Sequence, residues 1–232
     1  MLILFFSLTS DEILKKIDDN FVFNTIKANA TMTIERDGKK LVKEFILFGK
    51  KDGNRFFIEF INSEDRGVKY LKIGNELWIY FPDADDIMKI SGHMLRQGMM
   101  GSDISYEDIL SDEELRQKYT SELKNDTIID DKEYFVLELT AKKEDVSYYK
   151  ERLIVDKNMY APVEIELFTK SGRMIKKIIQ ERIKNFDGRY FPERIIIFDL
   201  RRKNSKTSLE YNELKFDILV KDDVFTKQNL KR

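Results

Sequence analysis

The sequence predicts a mainly β protein of the α+β type: one antiparallel sheet of roughly ten strands, strongly curled or closed, with an N-terminal helix and short mid-chain helices. Three observations carry this. Apolar residues alternate with a period of two from about Lys27 onward, helical periodicity is confined to short stretches, and Asp-Gly and Gly-Asn pairs punctuate the alternating runs as hairpin turns.

The helix comes first. In "TSDEILKKIDDNF" Thr9 stands as N-cap with Glu12 three residues on, a capping box. Ile13, Leu14, Ile17 and Phe21 share one face, and Lys15, Lys16, Asp18 and Asp19 take the other, so an amphipathic helix of about three turns lies on the sheet.

The strands follow. "RDGKK" and "KKDGNR" separate the first three, and Gly74-Asn75 tips another hairpin in "GVKYLKIGNELWIYFP". Ala30, Met32 and Ile34 fall on one face of their strand, and Phe56, Ile58 and Phe60 on one face of theirs. Residues 83–125 interrupt the alternation; there "SYEDILSDEELRQKY" is helical, with Ser111 as N-cap and Glu114 at the capping-box position. Alternation returns after Asp126, with Phe135, Leu137, Leu139 and Ala141 on one face and about five further strands beyond.

Composition narrows the function. The 232 residues carry 41 basic and 42 acidic side chains, so no global field draws in nucleic acid or an anionic membrane. With no cysteine there are no disulfides, no thiol catalysis, no Cys-ligated zinc and no lipid-modified N-terminal Cys. No segment reaches membrane-spanning length. The run Leu2 to Leu8 reads either as the h-region of a secretory signal without its basic n-region, or as a hydrophobic arm packed on the domain. Residues 1–10 are therefore set apart, 11–232 form a single domain, and a cleaved signal places the protein outside the cytoplasm.

Catalytic signatures do not assemble. The one histidine, His93, has no nucleophile or elbow motif to work with, and a zinc site needs more His or Cys than the chain has. Asp83, Asp85, Asp86, Asp103, Glu107 and Asp108 lack EF-hand spacing, and "GSDISYED" reads instead as a helix entry. "RRKNSK" is a hairpin tip without interleaved aromatics, and "FGKKDG" is no P-loop. Met88, Met94, Met99 and Met100, beside Gly92, Gly98 and Gly101, form either a movable apolar cover or plain core filling.

The segment "LWIYFPDADDIMKISG…GMMGSDISYEDIL" resembles the LolA-like outer-membrane lipoprotein-sorting protein family. The resemblance rests on Leu77, Trp78, Tyr80 and Pro82 at a strand end, and on Met100, Gly101, Ser102, Asp103, Ser105, Tyr106, Glu107 and Asp108 at a helix entry. Phe225, Thr226 and Leu230 match the family's ending, and "DEILKKIDDN" its opening helix, so the likeness covers nearly everything from Asp11. It implies a soluble periplasmic protein: an unclosed β-barrel, or half-barrel, with helices over its concave apolar face. Relatives of this fold carry or receive lipoprotein acyl chains, and members of this branch often accompany RND-type exporters of the inner membrane.

The expectation that follows is a monomeric, non-enzymatic carrier of lipid or lipoprotein acyl chains, without cofactor or metal. Its cavity would be lined by Met32, Ile34, Phe56, Ile58, Phe60, Leu71, Ile73, Leu77, Ile79, Phe135, Leu137 and Leu139, under a cover bearing Met94, Met99 and Met100. At residues 77–81 both faces are apolar, so a one-residue slip would exchange Leu77 and Ile79 for Trp78 and Tyr80. The alternative is an accessory module that docks on an exporter and carries no lipid.

Overall fold

The computed structural model describes residues 8–111 and 114–232. Of the expected signal or arm, Leu2 to Ser7 lie outside the described residues. In chain order the elements are α1 (Ser10–Asp19), β1 (Thr25–Arg36), β2 (Lys39–Lys50), β3 (Arg55–Phe60), β4 (Lys69–Ile73), β5 (Glu76–Phe81), β6 (Asp86–Ile90), α2 (Tyr106–Leu110) and α3 (Leu115–Lys118). They continue with β7 (Tyr119–Leu123), β8 (Thr127–Ile129), β9 (Lys132–Ala141), β10 (Lys150–Asp156), β11 (Pro162–Phe168), β12 (Met174–Phe186), β13 (Arg189–Asp199), β14 (Ser205–Phe216) and α4 (Lys227–Leu230).

The strands are antiparallel neighbours in the order β6-β5-β4-β3-β2-β1-β14-β13-β12-β11-β10-β9-β7, with β8 pairing β9 off this path. β6 and β7 end the order, so the sheet is unclosed. The expected fold class therefore stands, but with 14 strands among the described residues rather than about ten. Two of the additional strands, β6 and β7, fall inside the stretch expected to break the alternation. β7 escapes notice because Tyr119 is its one buried residue, which leaves no alternation to read.

The chain divides into two compact units: one holds the described residues of Met1–Val22 and Glu113–Pro192, the other those of Phe23–Asp112 and Glu193–Arg232. In the first, α1 carries the expected capping box: Thr9 Oγ1 accepts from Glu12 N at 3.2 Å, and the Glu12 carboxylate accepts from Thr9 N at 2.8 Å. Ile13, Leu14 and Ile17 are buried against Tyr119, Leu137, Leu139, Leu153 and Val155, and Leu8 packs at the margin of this core. Phe21 lies past the helix end and is exposed, which corrects its place on the apolar face.

The helical stretch in the middle is also capped differently. Ser105 caps α2, accepting from Asp108 N at 3.2 Å while Asp108 accepts from Ser105 N at 2.8 Å, and the N-cap position of α3 falls to Glu114 rather than Ser111. Ser111 ends α2 instead. At α3 the free N–H groups of Leu115 and Arg116 donate to the Asp18 carboxylate, at 3.0 and 3.3 Å. A carboxylate so distant in sequence leaves no local capping signal.

In the second unit the turns are those expected. Asp37 and Gly38 both adopt positive φ (48° and 76°), as a two-residue hairpin requires. Two apolar clusters lie on opposite faces of β2–β5. Ala30, Met32, Ile34, Phe45, Ile58, Phe60, Tyr70, Leu77 and Ile79 belong to one. Phe57, Leu71 and Trp78 belong to the other, covered by Val220, Phe225 and Leu230 from the C-terminal segment.

Candidate ligand-binding face

The larger apolar face is built row by row across the strands of the second unit. One row runs Ala28, Leu47, Ile58, Tyr70, Ile79 and Met88. The next runs Gly49, Phe56, Lys72, Leu77 and Ile90. Because residues two apart share a face, Met32, Ile34, Phe56, Ile58, Phe60, Leu77 and Ile79 come together as expected.

Leu71 and Ile73 do not. Leu71 pairs with Phe57 and Trp78, which places it and Ile73 on the opposite face. The loop between β3 and β4 resets the parity, and Lys72 conceals the alternation: "KYLKI" reads naturally as apolar at Leu71 and Ile73. Phe135, Leu137 and Leu139 pack in the first unit, beside α1. Tyr70 and Phe45 are lining residues that the pattern missed.

Over this face lies residues 91–110. It is made of short pieces: a 3-10 helix at Gly92–Arg96, another at Met99–Gly101, and α2. Met99 is buried, and Met94 and Met100 are half-buried against the face, with Leu95, Ile104, Tyr106, Ile109 and Leu110 beside them. His93 is exposed on the same segment.

Within the cover, Met99 N donates to Ile104 O at 2.7 Å and Tyr106 N to Gln97 O at 3.0 Å. Side-chain hydrogen bonds add to the apolar packing. Arg202 donates to Ser102 O at 2.7 Å, Arg36 to Gly101 O at 3.1 Å, and Lys72 to Leu110 O at 3.2 Å. The buried Asp103 carboxylate accepts the Ser205 hydroxyl at 2.6 Å. The Tyr70 and Tyr106 hydroxyls meet at 3.4 Å, and burial pushes both phenols above their ordinary pKa, so they serve as neutral hydrogen-bonding groups.

Each unit also has a surface cleft of about 360 Å³: one beside Glu35, Arg36 and Lys206, the other beside Asp11, Arg116 and Lys142. Neither includes a residue of the apolar face. Among the described residues no group of three or more His, Asp or Glu is placed to hold a metal ion, and no helix is long and apolar enough to cross a membrane.

A family model described as "-like: Uncharacterized protein" matches residues 52–232. No curated protein matches. Among solved structures, a LolA superfamily protein from Nitrosomonas europaea is 26% identical, covering 96% of this chain and 100% of its own, with a TM-score of 0.76. The chain has the LolA-like fold. A DUF1329 family protein from Desulfovibrio piger is 25% identical, with coverages of 94% and 96% and a TM-score of 0.85. A domain from Vibrio parahaemolyticus whose description names outer membrane lipoprotein sorting is 21% identical, with coverages of 95% and 97% and a TM-score of 0.83.

In this LolA-like chain many of the residues that carried the resemblance have a place in the fold. Leu77 lines the apolar face, Trp78 sits under the C-terminal segment, and Pro82 starts the turn after β5. Gly101 takes the left-handed conformation at φ 80°, Asp103 ties the cover to β14, and Ser105 with Asp108 caps α2. Phe225 and Leu230 fill the opposite cluster, and Thr226 caps α4.

Proposed function

We propose that this LolA-like chain is a periplasmic, non-catalytic carrier that takes acyl chains of lipid or lipoprotein onto the apolar face of its larger unit. The observation that carries the reading is a broad apolar sheet face under a segment of short turns, which packs on it and is tied to the sheet by side-chain hydrogen bonds rather than by strand pairing. Such a segment can lift as a unit, because little regular backbone pairing joins it to the sheet.

An acyl chain would take the place of the underside of the cover. Each buried methylene contributes about 0.8 kcal/mol, so a chain of about twelve carbons against Met32, Ile58, Phe60 and Ile79 contributes about 10 kcal/mol toward offsetting the lost cover contacts. Release follows when the cover re-seats or a better apolar site is met. Flexible Met94, Met99 and Met100 suit a surface that packs in two states.

The test is lipid extraction and native mass spectrometry of the exported protein, with titration of an acylated fluorescent probe into the delipidated chain. Saturable uptake and co-purified lipid are expected. An empty protein that takes up no probe ends the carrier reading, and leaves the accessory module docking on an exporter.

A further inference from the structure

Two hairpin tips lie side by side at one end of the larger unit's strands. β1 turns into β2 at Asp37 and Gly38, and β13 turns into β14 at residues 200–204. β1 and β14 are neighbours: Arg36 pairs with Ser205, and Asp37 N donates to Asn204 O at 3.4 Å. The surface cleft of about 360 Å³ is lined from both tips, by Arg36, Lys39 and Lys40 on one and by Phe198, Asn204 and Lys206 on the other.

Positive charge gathers here although the chain as a whole is nearly neutral. Residues 35–40 and 199–206 hold seven basic side chains and three acidic ones. Two of the acids are engaged locally, Glu35 with Lys206 at 3.0 Å and Asp199 with Arg201 at 2.7 Å. Lys39, Lys40 and Lys203 are exposed. Arg36 donates to Gly101 O, yet its buried Nε has no hydrogen-bond partner among the described residues, so the guanidinium is incompletely satisfied. A cleft lined mainly by one sign of charge concentrates ions of the other.

Aliphatic side chains flank the basic ones. Leu200, at the second tip, is 54% exposed, and Leu41, just past the first, is 50% exposed. Lysines beside exposed leucines fit a membrane surface, where the ammonium groups meet phosphates and the leucines enter the boundary between headgroups and acyl chains. An acidic protein accounts for the lysines but not for the two leucines. A nucleic acid calls for stacking aromatics, and these tips carry only Phe198.

We propose that this end of the larger unit docks on an anionic membrane surface, with lipid phosphates at Lys39, Lys40, Lys203 and the cleft, and with Leu41 and Leu200 inserted. Leu41 pairs with Ile34 of the large apolar face, so that face runs out to the docked end. Arg36 and Arg202, which hold the cover at Gly101 O and Ser102 O, stand at the same end. Docking sets the edge of the apolar face and two ties of its cover against the bilayer. It goes beyond the carrier reading and does not depend on it, because docking in this way requires no cargo.

The test is co-sedimentation of the full chain with vesicles of phosphatidylcholine alone, or with roughly a third phosphatidylglycerol. The anionic vesicles are expected to bind at least about tenfold more strongly, and the excess to vanish at about 1 M salt, where screening acts within about 3 Å. The apolar run Leu2 to Leu8 would hold neutral and anionic vesicles alike, so lipid charge separates its contribution from that of the tips. Lys39→Gln, Lys40→Gln and Lys203→Gln together should lower binding to anionic vesicles at least about tenfold. Leu41→Ser with Leu200→Ser should lower it by about as much. Lys15→Gln, Lys143→Gln and Lys170→Gln, exposed in the smaller unit, change the net charge equally and should leave binding within about twofold. Trp78 emission reports the folding of each variant, and the preference of the full chain is read without any variant. Equal binding to the two kinds of vesicle, or an equal loss from the two lysine sets, overturns the proposal. Retention on immobilised polyglutamate without binding to anionic vesicles also overturns it, and assigns the tips to an acidic protein. None of these outcomes bears on whether the apolar face takes an acyl probe.

Discussion

Asp103 and Thr207 are joined twice: Thr207 Oγ1 accepts from Asp103 N at 2.9 Å and donates to the Asp103 carboxylate at 2.9 Å. Both side chains are buried, and the pair fixes the middle of the cover to β14. Thr207→Val keeps the shape but strands the Asp103 N–H and one carboxylate oxygen. It is expected to cost about 1–3 kcal/mol in urea unfolding. Hydrogen exchange should localise the change: the amides of Met99 and Tyr106, bonded inside the cover, exchange faster, while those of β1 change only with global stability. Uniform acceleration over both would show that the cover does not open separately.

Gly98 and Gly101 lie close together in the cover yet are glycine for different reasons. Gly98 has an ordinary φ of -76°, but a Cβ there would sit 1.9 Å from the Ser102 carbonyl oxygen. Gly101 has open space around it and a φ of 80°. Asn tolerates the left-handed region, so Gly101→Asn should cost under about 1 kcal/mol. Gly98→Ala forces the 98–102 backbone apart and should cost about 1–3 kcal/mol or more. Thermal unfolding of the two variants checks the order; the reverse order would contradict the steric account.

These contrasts show which parts of the structure the sequence displays. Most of α1 is legible because its cap and the Ile13, Leu14 and Ile17 stripe are local, but Phe21 falls past the helix end and Asp18, placed on the polar face, is buried. Met32, Ile34, Ile58 and Phe60 were legible because unbroken alternation fixes a face. Leu71 and Ile73 were misplaced because parity does not pass through a loop, and a lysine facing inward imitates one facing water. The cap on α3 was hidden because Asp18 reaches it from a distant part of the chain. The Asp103 contacts were hidden for the same reason: Ser205 and Thr207 come from β14, and "GSDISYED" shows only the helix entry.

Asp156 makes a pH prediction for the smaller unit. Burial pushes its carboxyl upward, but the Lys132 ammonium and the N–H groups of Met159 and Asn158 outweigh burial and hold it below its ordinary value. A depressed folded pKa adds stability that is fully present above the unfolded value of about 3.9 and is lost as pH falls through the folded one. Asp156→Asn should therefore lower stability at pH 7 and flatten the acid limb below about pH 4. Urea midpoints from pH 2 to 7 test this; an unchanged acid limb would assign the pH dependence to other carboxylates.

Leu230 is fully buried beside Trp78, and the Lys227 ammonium lies 4.0 Å from the centre of the Trp78 ring. Leu230→Ala should cost about 2–5 kcal/mol, because a cavity opens in a small cluster that the sheet cannot collapse to fill. Trp78 is the single tryptophan, so its emission should shift to the red as water reaches the ring. The apolar face proposed to take acyl chains lies on the other side of β3–β5 and does not include Leu230. Probe affinity measured below the unfolding transition should therefore stay within about twofold of the parent, since the two sites share no partner. A large loss of affinity with intact circular dichroism would mean that the two faces of the sheet are energetically coupled.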